Sequence, residues 1–352
     1  MRRSQVRLTC AGVLLASALF AAACTPSRFA GGSPPPQDRP VSASHTVPAP
    51  GEVRIASFFA PSLGVRKHYV VYLPPSYSQD STRRYPVAYY LHGADGNESD
   101  WVSRAGIDFV MDSLIAAGTP PMILVMPDGD ESWYADWATP TSFDDCAAHW
   151  RSGEAAALHC VHHEWYDRYL AGDLVRHVDS TYRTLADRRH RAIAGLSMGG
   201  YGALAVAFRH PALYGAVVSH SGVVSLLYVG PHPFAQPARY ANGLDTLRAA
   251  LGQRLWSEMV ATLGDDVAAW RAHDPTHLVR ALLATHQPIP AIYFDAGRDD
   301  RLTSDRNRAF DAELTALGVA HEFRQWPGVH SWRYWHEHVG DGLAWLGTQI
   351  GR

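Results

Sequence analysis

The sequence predicts an α/β fold, a mostly parallel sheet covered by helices on both faces. Three observations predict it. The runs "PVAYYLHG", "PMILVMPDG", "HRAIAGL", "YGAVVSHSG" and "PIPAIYFDAG" are continuously apolar and end at glycine or a polar turn. Strands that read this way are buried on both sides, as in parallel sheets. Helix-compatible stretches at 103–117, 164–180, 198–209, 304–317 and 333–349 alternate with them, the rhythm of strand–helix–strand units. The composition, 47% hydrophobic and 18% charged over 352 residues, supplies a large core.

The elements follow in order. "MRRSQVRLTCAGVLLASALFAAAC" places Arg2, Arg3 and Arg7 before an apolar segment and three alanines. That is the layout of an export signal, too short for a comfortable membrane span. Cys24, directly after the small residues, resembles the acylated cysteine of a bacterial lipobox, although Ala21 stands where leucine is usual. Residues 1–24 are therefore expected to export the chain, either to the cell envelope with membrane attachment through a lipid on Cys24 or as a freely secreted protein. Residues 25–50 are rich in Pro, Ser, Ala and Gly without periodicity and read as a disordered linker. The folded domain is expected over 51–352, opening with two β segments, "EVRIASFFA" and "KHYVVYLPPSY". A net charge of −3 gives no basic footprint for nucleic acid.

Chemistry concentrates at strand ends. "RAIAGLSMGG" sets Ser197 between Gly195 and Gly199, with Gly200 behind. Gly-x-Ser-x-Gly suits a strand turning sharply into a helix with the serine at the apex, where close backbones demand small residues. Alone the motif is weak. Further on, "AIYFDAGRDDRL" ends a strand near Asp299 and Asp300, and "FRQWPGVHSWRYW" ends another at His330. Either aspartate could instead cap the next helix, and His330 is one of 19 histidines. The order Ser, Asp, His, each past a strand, is that of the α/β-hydrolases. A serine hydroxyl needs an imidazole to take its proton, and a carboxylate to orient that imidazole. An oxyanion needs two donors: the N–H of Met198 after the nucleophile, and the N–H of Ala94 in "YYLHGADGNESDW".

The blocks "LHGADGNESDW", "MPDGDESWYADW", "YRTLADRRHRAIAGLSMGGYGALAVAFRHPALYGAVVSHSG", "DAGRDDRL" and "PGVHSWRYW" resemble the esterase D / tributyrin esterase family. That group includes S-formylglutathione hydrolases, feruloyl esterase domains and the antigen 85 mycolyltransferases. The likeness spans about residues 51–350. It implies an α/β-hydrolase with Ser197 as nucleophile, His330 as base and no cofactor. The family acid lies three residues after a glycine, which from Gly297 gives Asp300, with Asp299 as the alternative.

The departure from the family is 138–163, an insertion carrying Cys146 and Cys160. In an exported chain these are expected to form a disulfide. His149, His159, His162 and His163 nearby make zinc the alternative, though no metal is expected. The insertion is expected to overhang the active-site mouth. Trp101, Trp133, Tyr134, Trp137, Trp332 and Trp335 lie near that mouth and could stack on sugars or phenolic acids, although residue by residue core packing is the default. Three function classes follow. The first is a serine carboxylesterase acting on short acyl or carbohydrate-linked acetyl and feruloyl esters. The second is an acyltransferase of the mycolyltransferase type passing the acyl group to a sugar, ranked lower because that group uses glutamate as the acid. The third is a non-catalytic binding domain. Formylglutathione, a cytosolic substrate, does not suit an exported chain.

Overall fold

A computed structural model describes residues 50–149, 155, 156, 159–251 and 253–351. The expected export signal, the lipidated Cys24 and nearly all of the linker lie outside the described residues. The strands are β1 (Glu52–Ala60), β2 (Val65–Leu73), β3 (Val87–Leu91), β4 (Ile123–Pro127), β5 (Arg191–Leu196), β6 (Ala216–His220), β7 (Tyr228–Gly230), β8 (Arg239–Tyr240), β9 (Ala291–Gly297) and β10 (Glu322–Trp326). Eight form one sheet in the order β1-β2-β4-β3-β5-β6-β9-β10, and β7 and β8 pair separately. β1 and β2 form an antiparallel hairpin whose second strand runs antiparallel to β4, and the remaining pairings are parallel. The expected mostly parallel α/β fold is present.

β3, β4, β5 and β6 are buried at every residue. Successive side chains feed opposite faces, as the pleat dictates. Tyr89 and Ile193 join a core with Leu204, Val206 and Trp270, while Tyr90, Ala192 and Ala194 join another with Trp101, Leu343 and Leu346. Helices α1 (Ile107–Ala116), α2 (Met198–Arg209), α3 (Leu244–Leu251), α4 (Gln253–Leu263), α5 (Ser304–Ala316) and α6 (Trp332–Ile350) provide much of the cover. The apolar residues of α1 and α6 pack on the second core and those of α2 on the first.

Strand order fixes where a ligand can bind. From β3 the chain crosses to β4 on one side, whereas β5, β6, β9 and β10 lie on the other. The order therefore reverses between β3 and β5, and crevices open beyond the carboxyl ends of strands at such a point. The loops after β3 and β5 begin at His92 and Ser197.

Candidate active site

Ser197 sits between β5 and α2 with φ 53° and ψ −116°, a conformation that L-residues adopt only under constraint. Its N–H donates to the His220 carbonyl (2.9 Å), and its own carbonyl accepts from Tyr201 N–H (3.0 Å). The crowded glycines have a steric explanation. A Cβ on Gly195 would lie 2.3 Å from the Gly199 carbonyl oxygen, and one on Gly199 would lie 2.4 Å from that of His92. One on Gly200 would meet Ser219 Oγ at 2.7 Å. Close approach, not positive φ, selects glycine at all three.

His330 Nε2 lies 2.9 Å from Ser197 Oγ, and its Nδ1 lies 2.7 Å from Asp300 Oδ2. Asp300 is buried, while Asp299 is exposed. Asp300 also accepts the N–H groups of Leu302 (2.9 Å) and Thr303 (3.0 Å) and the Thr303 hydroxyl (2.5 Å). The same carboxylate thus caps the turn leading into α5 and holds the imidazole. Burial alone would raise its pKa, but His330 and Thr303 outweigh that and hold it below the usual carboxylate range. The two loops are stitched together: Asp299 N–H donates to the Gly328 carbonyl (2.9 Å) and Arg298 N–H to that of Trp326 (2.8 Å).

On the other side of Ser197, the Gly93 carbonyl accepts from His92 Nδ1 (2.8 Å) and Gly96 N–H (3.2 Å). His92 Nε2 in turn accepts the Gly129 N–H (2.9 Å). The carbonyl and N–H of a trans peptide point opposite ways, so the Ala94 N–H turns away from His92. Ala94 lines the same cavity as Ser197. Met198 opens α2, where N–H groups lack intrahelical acceptors.

That cavity measures about 810 Å³ and is walled by Trp133, Leu251, Leu255, Leu302, Trp332 and Trp335. Of the aromatic residues anticipated near the mouth, Trp133, Trp332 and Trp335 therefore reach it. Trp101 and Tyr134 are fully buried, and Trp137 faces a second cavity. The Cys146–Cys160 disulfide is present, with Cα atoms 5.7 Å apart, so neither sulfur is a thiolate ligand. Among the described residues no cluster of His, Cys, Asp and Glu could hold a metal ion. Among the described residues of the insertion, Cys146, His149 and His159 line the second cavity and none lines the cavity at Ser197, to whose wall α3 and α4 contribute Leu251 and Leu255.

Sequence reading missed a buried ion cluster next to this site. Lys67 is wholly buried and pairs with Asp128 (2.5 Å) and Asp130 (2.7 Å). Burial disfavours its charge, but the two carboxylates more than offset that and raise its pKa above the usual lysine value. Burial would raise Asp128, yet the Lys67 ammonium holds it well below the carboxylate range.

The sheet order and the sharp turn at Ser197 define an α/β-hydrolase. More narrowly, the chain belongs to the family described as "Putative esterase", whose model matches residues 60–346. An esterase of Mycobacterium tuberculosis is 29% identical over 269 residues, which cover 75% of this chain and 52% of that protein. The chain thus spans about half the length of the first curated relatives it matches. An acetyl esterase of Caldicellulosiruptor saccharolyticus is 24% identical over 260 residues, 73% of this chain and 82% of that one. Among solved structures, a ferulic acid esterase superposes with a TM-score of 0.59 at 27% identity, covering 86% of this chain and 99% of that one.

Proposed function

We propose that the protein is a serine carboxylesterase in which Ser197 is the nucleophile, His330 the general base and acid, and Asp300 the orienting carboxylate. The observation that carries this is the continuous hydrogen-bonded path from Ser197 Oγ through His330 to Asp300 at the rim of the 810 Å³ cavity. With Nδ1–H donated to Asp300, Nε2 presents its lone pair to the serine hydroxyl. Attack of Oγ on the ester carbonyl carbon passes the hydroxyl proton to Nε2 and places the carbonyl oxygen's electron pair before the N–H groups of Met198 and Ala94. Each such donor contributes about 10²–10³ in rate. Collapse breaks the bond to the alcohol oxygen, which leaves with the proton from Nε2. Water then attacks the acyl-serine by the same route, giving the acid and free enzyme.

The substrates we propose are short acyl esters and carbohydrate-linked acetyl or feruloyl esters. Support comes from the indole walls of the cavity and from relatives named acetyl esterase and ferulic acid esterase. The disulfide supports an oxidising location and hence export. Among the described residues no helix is long and apolar enough to cross a membrane. The test is a series of p-nitrophenyl esters of rising chain length beside methyl ferulate, with and without a sugar acceptor. Hydrolysis by the wild type and its loss in Ser197→Ala are expected. A variant keeping more than a small fraction of wild-type kcat places the nucleophile elsewhere, and acyl-sugar as the main product favours the transferase.

A further inference from the structure

Directly behind Ser197 lie two ionisable side chains that the proposed chemistry does not use. His220 ends β6 and stands opposite Asp295 of β9 in the parallel register, and both side chains are wholly buried. His220 Nδ1 lies 2.6 Å from Asp295 Oδ2. As a carboxylate Asp295 only accepts, so the imidazole gives it Nδ1–H. Backbone bonds join the pair to the nucleophile turn. Ser197 N–H donates to the His220 carbonyl (2.9 Å), and Ser221 N–H to that of Asp295 (2.7 Å).

The same two side chains hold α6. Asp295 Oδ1 accepts the Tyr334 hydroxyl (3.1 Å) in the first turn of that helix. Burial and the neighbouring carboxylate push the Tyr334 hydroxyl well above the usual tyrosine pKa, so it stays a donor. About two turns further on, α6 meets the imidazole at Gly342, where an added Cβ would lie 2.9 Å from His220 Nε2. Tyr334 also stands next to the loop that presents His330. Its ring closes on Gly328 in that loop, where an added Cβ would meet Tyr334 Cδ2 at 2.6 Å.

A buried polar pair of this kind is a poor source of stability, because apolar residues of similar volume often do as well. Its distinctive property is direction. Hydrogen bonds constrain distance and angle, whereas apolar contacts are non-directional and let a helix slide. We propose that Asp295 and His220 form a positioning unit that registers α6 against the nucleophile turn and thereby aims His330 at Ser197. Neither side chain reaches the substrate; both act through Tyr334 and the start of α6. The consequence for turnover rests on the esterase reading; the effect on the His330 loop does not.

The experiment compares wild type with Tyr334→Phe, which removes one hydroxyl and keeps the ring on Gly328, and with His220→Leu and His220→Asn. On p-nitrophenyl acetate, Tyr334→Phe and His220→Leu are expected to lose about tenfold in kcat with KM within about twofold, since misplacement by about 1 Å can cost about 10². His220→Asn, whose amide N–H can replace Nδ1–H, should recover most of that loss. Hydrogen exchange followed by mass spectrometry gives a readout independent of turnover. In Tyr334→Phe, peptides over 327–335 should exchange about threefold faster or more, with 191–200 unchanged. Wild-type kcat in Tyr334→Phe, or exchange over 327–335 equal to wild type, overturns the positioning unit. A lowered unfolding midpoint with kcat per folded molecule unchanged does the same, since it marks a purely structural bond. Failure of the wild type to hydrolyse any ester would remove the esterase reading and leave the exchange comparison to decide the positioning.

Discussion

Asp300 and Asp299 are adjacent and chemically identical, yet their surroundings assign them different work. Asp300 receives the imidazole, two backbone N–H groups and a hydroxyl, whereas Asp299 faces solvent. Asp300→Asn should lower kcat for an ester near pH 7.5 by up to about 10⁴, the cost of losing the orienting carboxylate in serine proteases. Asp299→Asn should change it less than threefold, and steady-state kinetics of both decide the matter. Asp300 also makes a pH prediction. Its pKa is lower in the folded chain, so its stabilisation is complete above the ordinary carboxylate value of about 3.9. That contribution disappears as pH falls through the lower folded value. The Tm gap between wild type and Asp300→Asn should therefore be widest above about pH 5 and close in acid. Ser197 and the pair of aspartates were legible because each follows an apolar strand, and His330 because it stands in a Gly-x-His loop at the end of the short polar strand β10. Lys67 was not: in "VRKHYVVYL" it reads as an ordinary surface lysine, since its carboxylates lie about sixty residues on. Lys67→Met should cost about 3–5 kcal/mol by leaving the buried Asp128 and the half-buried Asp130 without their cation, measurable by urea unfolding.

At the scale of elements, the turn from β5 into α2 is a joint with no spare room. Gly199 touches the backbone at the end of β3, where an added Cβ would meet carbonyl oxygens of His92 and Leu91 at 2.4 and 2.5 Å. Backbone cannot swing aside as a side chain can. Gly199→Ala should cost at least the ~1–3 kcal/mol of ordinary overpacking, and it should depress activity as well, because the displaced carbonyl belongs to the loop bearing Ala94. Unfolding midpoint and kcat measured together test both halves. The central strands were legible from their unbroken apolar runs, and the helices that cover them from their placement between those runs. Residues 223–287, which supply the cavity wall at α3 and α4, went unassigned. Their helices carry polar and apolar faces that do not announce what they cover. One signal was available: Asp274 before Pro275 caps the helix Pro275–Ala284, accepting N–H groups of Thr276 (2.9 Å) and His277 (3.2 Å). The insertion was recognised as an insertion, but cysteine spacing carries no information about which cavity it would cover.

Across the whole molecule, the three groups of the proposed triad are far apart along the chain, 133 residues separating Ser197 from His330. They meet only because β6 lies between β5 and β9, with β10 docked on β9 at the sheet edge. The strand that delivers His330 is last in sequence and has one neighbour. A chain that has closed β1 to β6 but not yet docked β10 holds the turn at the proposed nucleophile without the proposed base. During refolding from denaturant, secondary structure and much of the apolar burial should therefore return before hydrolysis does. The recovery of turnover then becomes a clock for the docking of β10, and a chain caught without that strand in place is chemically silent.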